Sequence, residues 1–160
     1  GFAAGLIYSE ETAIAVHRLK YGNARYLAPF FISFLELPAD WTFEAIIPVP
    51  LHKRRLRRRG YNQSALLAEA LSERIGVPVR EELIRRTRNT KTQTSLNARR
   101  RARNLRGAFA ASPEAKGMRL LLIDDVRTTG ATLSECARAL REAGAAAVYA
   151  CAACERERSD

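Results

Sequence analysis

The stretch LLLIDDVRTTGATL, residues 120–133, restricts the possible folds more than any other part of the chain. Leu120, Leu121, Leu122 and Ile123 show no polar alternation, so the strand they predict must be covered on both faces. Two adjacent acids, Asp124 and Asp125, follow at its C-terminal end. A turn of small and hydroxyl residues comes next, Thr128, Thr129, Gly130, Ala131 and Thr132. A helix is predicted over 132–143, with Leu133, Ala137 and Leu140 on one face and Gly144 as its stop. A doubly covered strand that feeds a helix is half of a βαβ unit, which predicts an α/β fold with a mainly parallel sheet.

The rest of the chain supports that class. Strands are predicted over 5–8, 45–49, 108–111, 119–123 and 146–153, and an extended segment over 77–85. Ser9 suits an N-cap, with Glu10 and Glu11 in the first turn of a helix that ends at Gly22. Further helices are expected over 25–37 and 62–75, the last closed by Gly76. No repeat and no Gly/Ser- or Pro-rich linker divides the 160 residues, so one domain is expected, with 155–160 as a charged tail.

In a parallel sheet, ligands bind in the crevice beyond the strand C-termini. The turn after Asp125 offers backbone N–H groups and three hydroxyls at a helix N-terminus, which suits a phosphate dianion. The two acids suit a ribose diol or, through water, a metal. Together they suit a 5-phosphorylated sugar with vicinal hydroxyls. Neither a GxxxxGK[ST] nor a GxGxxG sequence is present, so nucleoside-triphosphate and dinucleotide loops are not supported.

Charge adds a second constraint. The net charge is +10, but between Lys53 and Arg106 there are 17 basic and 4 acidic residues, whereas the remainder is slightly acidic. Such a segment meets something anionic or is a solvated loop. KRRLRRR, residues 53–59, reads as a basic loop that captures pyrophosphate or contacts nucleic acid. From Thr87 to Arg106 the chain is rich in Thr, Asn, Gln and Arg, and predicts a long mobile loop with a helical turn near Arg99 and Arg103. Cys151 and Cys154 form a CxxC on the predicted last strand, with Cys136 the only other thiol. That is the pattern of buried core cysteines rather than of a zinc or redox centre. No apolar run approaches the roughly 20 residues of a membrane-spanning helix. No secretory leader is recognisable, so a cytoplasmic protein is expected.

The block at 120–133 resembles the signature of type I phosphoribosyltransferases for 5-phosphoribosyl 1-diphosphate (PRPP). Within that superfamily the chain resembles the ComF family, associated with competence and DNA uptake. The further resemblance lies in LKYG at 19–22, IPVPLH at 47–52, RRRGYNQS at 57–64 and LNARRRARNLRGAF at 96–109. It implies a parallel sheet of about five strands flanked by helices, with residues 1–44 as a small hood and 45–154 as the PRPP-binding core. It implies that Asp124 and Asp125 bind the ribose hydroxyls and, indirectly, Mg²⁺. Val126, Arg127, Thr128, Thr129, Gly130, Ala131 and Thr132 would hold the 5-phosphate. Val49, Pro50, Leu51, His52 and Lys53 would form the pyrophosphate loop, and Lys20 and Tyr21 the hood over the acceptor. Arg99 and Arg103, on a loop closing over the site, would act with the two acids in catalysis.

The implied activity is Mg²⁺-dependent transfer of 5-phosphoribosyl to an unidentified acceptor with release of pyrophosphate. The alternative is a non-catalytic PRPP- or nucleotide-binding protein, or a DNA-associated competence protein that meets nucleic acid between Lys53 and Arg106. The oligomeric state is open, a dimer being compatible.

Two positions depart from the pattern. Arg127 stands where similar blocks carry an apolar or aromatic residue, and Thr128 where purine-salvage relatives carry an Asp. ComF-like proteins also commonly carry an N-terminal cysteine-rich, zinc-binding segment, which these 160 residues lack; that fits a short member or a piece of a longer chain.

Overall fold

The structure, a computed structural model, describes residues 1–90 and 98–156. In chain order it runs β1 (Phe2–Ile7), α1 (Glu10–Tyr21), α2 (Leu27–Ser33), β2 (Ala45–Pro48), α3 (Lys53–Arg59), α4 (Gln63–Ile75) and β3 (Ile84–Arg86). It continues with α5 (Ala98–Leu105), β4 (Phe109–Ala111), β5 (Arg119–Arg127), α6 (Ala131–Glu142) and β6 (Ala147–Glu155). Four strands form a parallel sheet in the order β1-β6-β5-β2, and β3 pairs antiparallel with β4. Where a fifth strand would flank β2, a single parallel bridge joins Ile46 to Val79. The extended reading of 77–85 is therefore realised as that bridge, a 3₁₀ turn at Glu81–Leu83 and β3.

The period of two along β5 sorts the core. Leu120 and Leu122 pack with α6, β3 and β4, while Leu121 and Ile123 pack with α1, α2 and α4. All four are fully buried, each contributing about 1.5–3 kcal/mol of apolar burial.

Several readings of the sequence change. β5 does not stop before its acids. Its pairing with β6 continues through Asp124 opposite Ala152 to Arg127 opposite Glu155, so both acids lie within the strand. β2 ends at Pro48, opposite Ile123, and this early stop opens the notch beside the acids. Residues 53–59 are a helix rather than a loop: the His52 Nδ1 caps it by accepting from the Arg54 N–H at 3.3 Å, and Gly60 at φ +85 closes it. The helical turn expected near Arg99 is likewise a full helix, α5; the part of the predicted loop at 91–97 lies outside the described residues.

Part of the expected hood is built into the core. β1 is an edge strand of the main sheet, and α2 buries Phe31 and Ile32. α1 follows its predicted bounds, with a Ser9–Thr12 capping box and Gly22 at its end. α2 is shorter than the 25–37 expected.

Candidate active site

The notch left by the short β2 is the mouth of a cavity of about 590 Å³ at the C-terminal end of the sheet. Its floor is Asp124 and Asp125. One wall is the turn from Val126 to Thr132, which leads into α6. Gly130 caps that helix at φ +78, a left-handed conformation natural to glycine, and an added Cβ would stand 3.1 Å from the Arg127 Nε. The Thr129 Oγ1 accepts from the Ala131 N–H at 3.3 Å. Arg127 is held beside the turn by an ion pair with Glu155 and lies over the Phe2 ring at 4.2 Å.

The opposite wall is cationic. Arg55 and Arg59 stand four apart on α3 and share one face, joined by Arg86 from β3. The Arg55 Nη2 donates to the Thr90 carbonyl at 2.6 Å, and the Arg86 guanidinium to the Thr90 hydroxyl. Burial, then the charge of neighbouring arginines, pulls Arg55 and Arg86 below the ordinary arginine value. Nε of Arg59 and Nε of Arg86 are buried with no acceptor among the described residues. In all, seven cationic side chains and two carboxylates line the cavity, so it suits a ligand with several negative charges.

Asp124 is strongly perturbed. Burial, and then the adjacent Asp125 charge, push Asp124 up to about 7, against the Asp125 N–H, Lys20 and the Ser64 hydroxyl, which favour its anion. Burial works against the Lys20 ammonium, but its ion pair with the Asp125 Oδ2 at 2.9 Å leaves it above its ordinary value.

Most of the predicted site residues converge here: Asp124, Asp125, all of 126–132, Val49, Pro50, Leu51, Lys20 and Tyr21 line the cavity. Four do not. His52 and Lys53 lie outside the lining, His52 as the cap of α3 and Lys53 exposed on its first turn. Arg99 and Arg103 are exposed on α5, while Arg101 and Asn104 line the cavity instead, with the Arg101 Nη1 3.4 Å from the Thr128 Oγ1. The helical phase explains this: 99 and 103 share one face, and 101 and 104 lie on another.

From the basic run 53–59 the structure selects Arg55 and Arg59, and it adds Gln63, Ser64 and Arg86, to which sequence reasoning gives no role. A signal for Gln63 and Ser64 does exist in RRRGYNQS: an Asn cap after a helix-closing Gly puts them in the first turn of α4. Cys136, Cys151 and Cys154 are buried free thiols. Burial raises all three above the ordinary cysteine value, Cys154 to about 11. Among the described residues no group of three or more His, Cys, Asp or Glu is placed to hold a metal ion. No described helix is long and apolar enough to cross a membrane.

A crevice with an acid pair and a glycine-capped, Thr-rich turn, at the end of a parallel sheet, defines the class. Residues 62–160 match the family described as Phosphoribosyl transferase domain. The fold agrees with that of glutamine PRPP amidotransferase from Bacillus subtilis, with a TM-score of 0.50 at 19% identity over 84% of this chain and 26% of that one.

The chain belongs to the ComF family within that class. It is 38% identical over 148 residues to Competence protein F of Haemophilus influenzae, covering 86% of this chain and 65% of that protein. It is 36% identical over 160 residues to DNA utilization protein YhgH of Escherichia coli O157:H7, covering 92% and 68%. It is 34% identical over 145 residues to Competence protein ComFC of Bacillus subtilis, covering 88% and 58%. The chain thus spans about two thirds or less of the length of these relatives.

Proposed function

We propose that the cavity binds PRPP and that the protein transfers its 5-phosphoribosyl group to an acceptor nucleophile, releasing pyrophosphate. The observation that carries this reading is the junction, in one cavity, of the acid pair, the phosphate turn and the guanidinium wall of Arg55, Arg59 and Arg86. The turn at 128–132 takes the 5-phosphate through its N–H groups and hydroxyls. The floor of the cavity, at the acid pair, takes the ribose hydroxyls.

In the reaction the bond from C1 to the diphosphate oxygen breaks, and its electron pair leaves with the diphosphate. The acceptor's lone pair forms the new bond to C1, and the acceptor's proton is lost to solvent or to a neighbouring base. Charge therefore grows on the leaving group. The unsatisfied Nε–H donors of Arg59 and Arg86 are fixed dipoles suited to stabilising it. Mg²⁺ carried in by PRPP would neutralise charge on the diphosphate, with the acid pair meeting it through water.

Calorimetric titration with PRPP, with and without Mg²⁺, tests the binding. Pyrophosphate release with a panel of bases and amines tests the transfer. Micromolar binding that depends on Asp124 supports the reading, and no binding at millimolar PRPP refutes it.

A second reading is supported by the outer face of α3. Lys53, Arg54, Arg57 and Arg58 point away from the cavity, are exposed, and have no carboxylate partner among the described residues. Relatives named for competence and DNA utilization favour DNA as the polyanion this face meets, through backbone phosphates. The two readings are compatible because they use different faces of one helix.

A further inference from the structure

The two adjacent carboxylates are not equivalent. The alternation along β5 sends Asp125 to the face covered by α1 and α4, where it is 5% exposed. Both of its oxygens are engaged. Oδ2 accepts from the Lys20 ammonium at 2.9 Å and from the Gln63 side-chain amide at 3.3 Å, and Oδ1 accepts from the Val126 N–H at 2.7 Å. The Oδ1 of Asp124 accepts from the Ser64 hydroxyl at 3.1 Å and from the Asp125 N–H at 2.9 Å. The Oδ2 of Asp124 accepts from no described residue, and Asp124 lines the cavity.

The residues that create this difference are the first two of α4. Asn62 fixes their place: its Oδ1 accepts from the Ser64 N–H, and its Nδ2 donates to the Val49 carbonyl, each at 3.0 Å. The start of α4 is thereby tied to the end of β2. Gln63 and Ser64 are 5% and 1% exposed, unusually deep for polar side chains. Gln63 also accepts from Arg59, whose guanidinium in turn lies over the Tyr21 ring. Its amide can be placed only one way, with the oxygen toward the guanidinium and the NH₂ toward the carboxylate. The network therefore has a direction, from α3 through Gln63 to Asp125 and on to α1.

We propose that Gln63 and Ser64 are positioning residues that divide the acid pair: Gln63, with Lys20, keeps Asp125 as an internal anchor tying α1 to β5, and Ser64 orients Asp124 as the carboxylate left to accept the ligand's hydroxyls. The ligand half of this statement rests on the reading of the cavity as a sugar-phosphate site. The physical reason for the division is charge. Two carboxylates on adjacent residues in a half-buried notch repel; a cation on one of them reduces the repulsion, and a donor on the other favours its charged form further. Ser64 is the side-chain donor, beside the Asp125 N–H.

The test separates the division from the ligand reading. The carboxyl ¹³C resonances of the unliganded protein, labelled at Asp and assigned with Asp124→Asn and Asp125→Asn, report titration without any ligand. Asp124 should titrate near 7. Ser64→Ala should raise that midpoint by roughly half a unit or more, and Ser64→Thr should restore it, because the hydrogen bond donated by the hydroxyl favours the anion. Relative to the unsubstituted protein at the same pH, Ser64→Ala should lose PRPP affinity severalfold at about pH 6 and little at about pH 9, where the carboxylate is ionised in both.

The anchor is tested by thermal unfolding. Asp125→Asn should lower the midpoint by several degrees, about what a lost buried pair costs, and adding Lys20→Met should recover most of it. An unmoved Asp124 midpoint in Ser64→Ala overturns the proposal. So does an affinity loss equal at both pH values, or the absence of recovery in the double variant. If PRPP fails to bind the unsubstituted protein, the sugar-phosphate reading falls, and the titration and unfolding arms still decide whether the carboxylates are divided.

Discussion

The two walls of the cavity are built in opposite ways. The β5–α6 wall is contiguous: strand, acids, turn and helix follow one another within 120–133, so local geometry places every group. The wall of α3, β3 and the start of α4 is assembled from residues 55, 59, 63, 64 and 86, brought together only by helix phase and packing. The first wall is therefore sensitive to single backbone positions. The second is sensitive to which face of a helix a charge occupies.

The largest expected effect probes the contiguous wall. Gly130→Val forces a β-branched residue into a left-handed conformation and presses its Cβ on Arg127. PRPP affinity should fall by about a hundredfold or more by calorimetry, while circular dichroism stays native. If Gly130→Val binds as the parent does, the turn is not the phosphate site.

Next is the shared floor. Asp124 rises from its ordinary 3.8 to about 7, so between those values the unfolded chain has released a proton that the folded one keeps. Stability from this group is present below about pH 4 and is lost as pH rises toward 7, on the order of 2 kcal/mol once partial solvent access is allowed for. Urea unfolding of the ligand-free protein at pH 5 and pH 7.5 checks the sign. Lys20 acts in another window: it lies above its ordinary 10.5, so its contribution stays full through neutral pH and fades only as pH rises well past that value.

The assembled wall should respond by face. Arg59→Ala and Arg86→Ala should each weaken PRPP or free pyrophosphate binding about tenfold, the scale of one charge-assisted hydrogen bond. Arg57→Ala and Arg58→Ala should change it by less than about twofold, being on the solvent side of the same helix. Equal losses on both faces would mean that α3 contributes only a diffuse field.

The smallest effect concerns that outer face. Neutralising Lys53, Arg54, Arg57 and Arg58 together should lower single- or double-stranded DNA affinity and flatten its salt dependence, by a slope of about 0.9 or less for each DNA phosphate that is no longer neutralised. Gly130→Val should leave that slope unchanged.

Much of this is legible in the sequence. Ser9, Gly22, Asn62 and Gly76 mark helix ends there and do so in the structure, since capping depends on a few adjacent residues. The acid pair and the Thr-rich turn are legible for the same reason. The basic run is not: it reads as a loop and folds as a helix. Its charge pattern hides its periodicity, and only the His52 cap and the Gly60 stop reveal a helix of seven residues. Sequence reasoning favours Arg99 and Arg103 where the cavity takes Arg101, because phase on a short helix depends on what it packs against, here α6.

By itself the sequence determined the α/β class, the βα unit at 120–133 and the excess of cations, because each follows from contiguous residues and short-range sterics. Only the tertiary structure decided that β2 stops four residues short of the end of β5, which opens the cavity beside the acids. Only it decided which two arginines of KRRLRRR face inward and that Gln63 and Ser64 reach one carboxylate each. Those outcomes depend on contacts 60 or more residues apart in the chain, such as Ser64 to Asp124 and Gln63 to Asp125. No local pattern encodes a distance of that kind, because it is set by how the helices settle on the sheet to bury their apolar faces.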